Sequence, residues 1–178
     1  MPDTHLEANN NIAKVSLIEL DAAAPTSFRA SSDRGFVLVA IKDCSLLVDG
    51  ERTKLKAGEY KAIPGRRTLE LGRSETPNCP LVLIEIIAAS QALTIEKTAL
   101  GGHKEMEDAS DRNSTLLIAI SPLQIRDTRN LAEEDGPWKS GPQKSIELHE
   151  GQFTWLQRGV HRLRNSGNST ICFVTVEW

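Results

Sequence analysis

The 178 residues carry 39% hydrophobic and 25% charged side chains, an ordinary globular balance for one domain or two very small ones. A formal charge of -3 speaks against a protein whose main task is neutralising nucleic-acid phosphate, and 4% aromatics are too few for base-stacking platforms. No apolar run is long enough to span a bilayer, and Met1 to Asn11 lacks a basic-then-apolar leader pattern, so a cytoplasmic protein with no membrane partner is expected. Cys44, Cys79 and Cys172 are too widely spaced for a disulfide framework or a zinc knuckle.

Taken in order, Phe36 to Ile41 reads as a buried strand. Leu46-Leu47-Val48 and Thr53-Lys54-Leu55 flank Asp49-Gly50, a pair that tolerates positive φ and predicts a hairpin. Leu81 to Ile87 predicts another strand, and Ile171 to Trp178 a last one. Residues 88–93 and 131–135 offer a single turn of helix each, too little to stand alone. The class is all-β.

The chain also repeats itself. Leu38 to Leu46 lies over Leu117 to Ile125 at an offset of 79, Leu55 to Tyr60 over Leu148 to Phe153 at 93, and Glu85 over Glu177 at 92. The offset rises between Asp127 and Gln143, a stretch with Gly136, Pro137, Gly141 and Pro142 that reads as a surface loop inserted in the second copy. Two units follow, at 12–92 and 93–178.

In the second copy, Gly151, Gly159, His161 and Asn165 fall at the spacing of a glycine followed by a Pro-x-Gly-x-x-His-x-x-x-Asn turn and strand, with Gln157 in the proline's place. This resembles the second motif of the cupin superfamily. In the first copy Gly58, Pro64 and Gly65 recur, Arg67 stands in the histidine's place and Leu71 in the asparagine's. The resemblance implies two tandem double-stranded β-helix (jelly-roll) barrels, a bicupin.

Metal-binding cupins use three histidines and a glutamate to hold Mn, Fe, Ni, Zn or a similar ion, and the first motif supplies a His-x-His pair. Here the aligned positions are Ala109 and Asp111 in the second copy, and Ala30 and Ser32 in the first. His161 is the only motif ligand kept. Asp111 is a substitute candidate, and a shifted alignment recruits His103, Glu105 or Glu107. Two ligands hold a metal poorly, so the resemblance implies no cofactor and a hydrogen-bonded pocket role for His161.

Candidate ligand-binding residues are therefore His161, Asn165, Asp111, Trp155 and Arg67. Trp155 fills the barrel core with Phe153 or lines the pocket; Arg67 meets an anion, an internal carboxylate or solvent. Glu85 and Glu177 are pocket carboxylates or solvent-facing strand residues. The expected function is a non-catalytic cupin-like protein binding a small molecule or acting in regulation or structure. The alternative is a metal-dependent oxygenase or isomerase of a small organic acid or sugar, with a reduced site in the second barrel. A metal-independent epimerase with His161 as base ranks last. A homodimer or an intramolecular two-barrel equivalent is also expected, with the apolar strand ending at Trp178 as a candidate sheet edge.

Overall fold

The computed structural model describes residues 4–9, 11–20, 25–72, 79–88, 93–108, 114–131, 139–157 and 159–178. Ala109 and Asp111 lie outside these residues, as do most positions of the two short helical turns expected at 88–93 and 131–135. The chain forms two compact units, Met1–Ala92 and Leu93–Trp178.

The first unit runs β1 (Thr4–Asn9), β2 (Ala13–Leu20), β3 (Thr26–Arg29), β4 (Gly35–Ala40), β5 (Cys44–Val48), β6 (Glu51–Leu55), β7 (Tyr60–Pro64), β8 (Thr68–Leu71) and β9 (Cys79–Ile86). The second runs β10 (Thr94–Leu100), β11 (Glu105–Asp108), β12 (Thr115–Ala119), β13 (Leu123–Leu131), β14 (Lys139–Leu148), β15 (Phe153–Leu156), β16 (Val160–Asn165) and β17 (Ile171–Glu177). Sheets in the first unit are ordered β1-β2-β9-β4-β7 and β3-β8-β5-β6, and in the second β10-β17-β12-β15 and β11-β16-β13-β14. Setting β1 aside, the two orders match strand for strand. These are the two tandem jelly-roll barrels expected from the sequence.

The repeat holds at the level of single hydrogen bonds. Phe36 pairs with Glu85 and Thr115 with Glu177, while Val39 pairs with Tyr60 and Ile118 with Phe153. The Ala40 amide donates to the Glu59 carbonyl and accepts from the Gly58 amide through its own carbonyl; Ala119, Gln152 and Gly151 repeat both bonds. Gly58 and Gly151 sit at φ 77° and 80°, where a β-carbon is strained, which explains why glycine marks the same corner twice. Even the corner side chains agree: the Lys56 amide donates to Glu59 Oε2 and the His149 amide to Gln152 Oε1, both at 2.9 Å.

Each barrel is filled by residues that alternate along its strands. Ile18, Phe36, Leu38, Leu46, Leu69, Leu71 and Leu81 fill the first; Leu117, Leu123, Ile125, Leu163 and Phe173 fill the second. Burying one such side chain is worth about 1.5–3 kcal/mol. β4 and β12 are buried at every position, so they read as continuous apolar runs rather than as alternation.

The hairpin between β5 and β6 forms as expected, with Asp49 and Gly50 both at positive φ (49° and 83°) as a two-residue turn of the mirror-image type needs. Two expectations change. The extra residues of the second copy are not simply a loop: Thr128 pairs with Gln143, Asn130 with Ser140 and Leu131 with Lys139, so they lengthen the β13–β14 hairpin. The strand ending near Trp178 is not an edge either. β17 pairs with β10 on one side and β12 on the other, so its backbone groups are spent within the barrel and it offers no edge for a dimer.

Candidate functional site

β16 begins just past Gly159 and alternates: Val160, His161, Leu163 and Asn165 are buried, while Arg162 and Arg164 are exposed. The outward Arg162 meets Glu105 at 3.2 Å and Glu107 at 3.7 Å on the exposed side of β11, so neither glutamate is available to His161. On the neighbouring β13, Leu123, Ile125 and Asp127 share the buried face. The last of these breaks the apolar series with a carboxylate.

That carboxylate receives His161. Nδ1 lies 2.8 Å from Asp127 Oδ1 and 3.0 Å from Oδ2, with both residues buried at 2% and 6% exposure. At the other end of the ring, Nε2 bonds to the Gln157 backbone carbonyl. A carbonyl and a carboxylate can only accept, so the ring is placed to donate from both nitrogens, which suits an imidazolium closed on Asp127. Gln157, which departs from the motif's proline, thus anchors His161 through its backbone. Its side chain holds a second group: Arg129 Nη1 donates to Gln157 Oε1 at 2.8 Å.

Asp127, Arg129, Lys144, Ile146, Trp155, Leu156, Gln157 and His161 line one cavity of about 350 Å³. Trp155 is half-buried in its wall and packs on Trp178 with ring centroids 5.2 Å apart and planes at 41°. Both indole N–H groups are buried with no partner among the described residues. Lys144 is the register partner of Asp127 across the β13–β14 hairpin, and its side chain is exposed at the mouth.

The remaining candidates lie elsewhere. Asn165 is fully buried and clamps loops: Nδ2 donates to the carbonyls of Leu100, Gly101 and Ser169 at 2.8–3.1 Å, and Oδ1 accepts from the Gly167 amide at 2.9 Å. Its amide is spent on the fold. His103 bonds Asn168 at 2.7 Å, beyond the Glu105–Arg164 end of the β11–β16 ladder. At about 3.3 Å per residue, roughly 10 Å of strand separates that end from the Asp108–His161 pair. In the first barrel, Ser31 donates its amide and hydroxyl to Glu85 Oε1 at 2.6 and 2.5 Å. Glu85 shares a smaller cavity of about 170 Å³ with Lys14, Arg29 and Phe28, while Glu177 is half-buried.

Arg67 is not the counterpart of His161. Val48 pairs with Leu71 as Asp127 pairs with Leu163, and Phe28 pairs with Leu69 as Asp108 pairs with His161. Leu69 and Val48 therefore occupy the places of His161 and Asp127, both buried in the first core. Matching Gly65 to Gly159 shifts the alignment, because the first barrel takes one residue more between β7 and β8 than the second takes between β15 and β16. Arg67 is exposed in that turn, and its carbonyl accepts the Ala30 amide at 2.7 Å.

The described donor set does not fit the metal that the resemblance brings to mind. His161 has both ring nitrogens engaged, Asp127 is bonded to it, His103 is distant, and no group of three histidine, cysteine or acidic residues converges among the described residues. The same geometry engages both ring nitrogens of His161 within the barrel wall. Sequence reasoning passed over Asp127, Arg129, Lys144 and Gln157. The usable signal was alternation, since Leu123, Ile125, Asp127 and Arg129 fall at every second position. In the first core, the Cys44 thiol is held protonated well above its ordinary range by a hydrogen bond with Cys79 and by burial.

No protein-family model matches the sequence, and no curated protein matches it. Solved structures do. The chain is similar to AerE from Microcystis aeruginosa at 9% identity and TM-score 0.69, covering 99% of this chain and 95% of that one. It is similar to a cupin 2 conserved barrel domain protein from Leptotrichia buccalis at 9% identity and TM-score 0.58, covering 97% and 86%. A Bacillus subtilis oxalate decarboxylase, described by its Mn(II) centres, matches at 8% identity and TM-score 0.67, covering 94% and 69%.

Proposed function

With the cupin fold as premise, we propose that the second barrel is a metal-free small-molecule-binding site in a non-catalytic protein, with the first barrel as its structural partner. The observation that carries this reading is the closed ring of bonds around His161: Asp127 on Nδ1 and the Gln157 carbonyl on Nε2. In a metal cupin the equivalent histidine offers a nitrogen to the ion. Here that nitrogen holds the barrel wall, and a cavity of about 350 Å³ is left beside it, near the lower end of the range for small-molecule sites.

Metal analysis by inductively coupled plasma mass spectrometry on untagged protein and His161→Ala tests the reading. The expected result is less than about a tenth of an equivalent of Fe, Mn, Ni or Zn in both proteins, since a mononuclear site needs three or more ligands. Near-stoichiometric metal in the native protein, lost in the folded variant, would overturn it and restore the enzyme alternative. Native mass spectrometry of the same sample then looks for small molecules carried through purification.

A further inference from the structure

The first barrel brings two thiols together. Cys44 opens β5 and Cys79 opens β9, strands that belong to different sheets of that barrel. Both are buried in one core cluster, at 4% and 0% exposure, and their thiols share a hydrogen bond. The Ile41 amide donates to the Pro80 carbonyl at 3.1 Å, which sets the start of β9 beside the chain that leaves β4 for β5.

Register fixes the equivalent places in the second barrel. Cys44 pairs with Leu55 as Leu123 pairs with Leu148. Ala40 pairs with Leu81 as Ala119 pairs with Phe173, which puts Ile171 at the place of Cys79. Leu123 and Ile171 are apolar members of the second core. Both places are thus cysteine in one barrel and branched aliphatic in the other.

We infer that Cys44 and Cys79 are an oxidation site, which a small-molecule disulfide converts to a protein disulfide that staples the two sheets of the first barrel. A single buried cysteine is only a small apolar filler. Two in contact across sheets are placed for a bond. One protein thiolate attacks a sulfur of the small disulfide, forming a mixed disulfide and releasing one small thiolate. The other protein thiolate attacks the cysteine sulfur of that mixed disulfide and expels the second. Two protein thiols are oxidised, one small disulfide is reduced to two thiols, and the two protein protons end on these.

Timing follows from burial. In the folded barrel the Cys44 thiol is kept protonated and out of reach, so the reduced pair is inert. The exchange therefore runs while the chain folds, before the sheets close, and the same burial then shields the bond from reductants. The staple records the redox conditions under which the chain folded. It belongs to the first barrel and leaves the reading of the second untouched.

The test unfolds the full chain in urea with reductant, then refolds it in parallel in a mixture of oxidised and reduced glutathione and in dithiothreitol. Cys44, Cys79 and Cys172 fall in separate tryptic peptides, ending at Arg52, Lys97 and Trp178. Non-reducing mass spectrometry is expected to find the first two linked and the third apart. Thermal unfolding by far-UV circular dichroism should move up by about 10 °C in the oxidised protein, since closing a loop of about 35 residues removes freedom from the unfolded chain. Cys172→Ala keeps the link and the shift; Cys79→Ala loses both, and the native link carries the test if that variant does not fold. Free thiols at 44 and 79 after oxidative refolding, a link through Cys172, or a linked protein no more stable than the reduced one overturns the inference.

Discussion

Strand order and corner hydrogen bonds repeat between the two barrels, and one buried pair of positions does not. Where the second barrel places Asp127 and His161, the first places Val48 and Leu69, with the same neighbours in the same register. In the first barrel those two places are apolar and belong to the core, and a cavity of about 270 Å³ beside Val48 is lined by Glu51, Lys61 and Arg66. In the second, the buried His161–Asp127 pair interrupts the apolar series, and both residues line a cavity of about 350 Å³ together with Arg129 and Lys144. A shared scaffold thus tolerates an apolar or a polar pair at these two places, and the choice changes the chemistry of the cavity wall beside them.

The largest expected effect comes from splitting the pair. Asp127→Ala leaves an imidazole buried against a carbonyl with no carboxylate, and should cost about 3–5 kcal/mol in urea unfolding. Asp127→Val with His161→Leu imports the first barrel's residues and should recover most of that loss, because a well-packed apolar pair commonly equals or exceeds a buried ion pair. All three tryptophans, Trp138, Trp155 and Trp178, belong to the second half, so fluorescence follows this barrel alone. A double variant as unstable as the single one would break the comparison.

Leu69→Ala probes the same place in the first barrel and should cost about 2–5 kcal/mol, read by far-UV circular dichroism with the tryptophan transition unmoved. Asn165→Ala strands three carbonyls and one amide, and should cost about 1–3 kcal/mol in the second barrel. The smallest effect is chemical. Of the three cysteines, half-exposed Cys172 should react with a thiol reagent in the native protein, and buried Cys44 and Cys79 only after denaturation. Rapid native labelling of Cys44 would show that the first core is not closed.

Much of the fold was legible because its signals are local. Asp49-Gly50 announced its hairpin, and the glycines at 58 and 151 marked one corner in both copies. Polar strands gave no such signal: Lys139–Leu148 pairs with β13 on both sides of Gly141 and Pro142, where the register shifts, held by β13 rather than by its own composition. The site was legible only in part. The motif picked out His161 but not Asp127, because the two are 34 residues apart and only the pairing of β13 with β16 brings them together. Arg67 misled because glycine was matched to glycine across turns of different length, and the register of the strands puts the place of His161 two residues later, at Leu69.

Both barrels are closed by strands distant in sequence. β2 pairs with β9 and β10 with β17, so the first barrel is complete once the chain has reached Ile86, whereas the second waits for Glu177. On a ribosome adding about 5–20 residues each second, barrel one can settle while barrel two is still being made. The buried polar pair is then assembled late. Asp127 is synthesised well before His161, and the nascent second half carries an unpaired carboxylate on a nearly apolar strand face until β16 arrives. That gap in time is when this half of the chain is most exposed to misfolding, and when a helper protein would matter most.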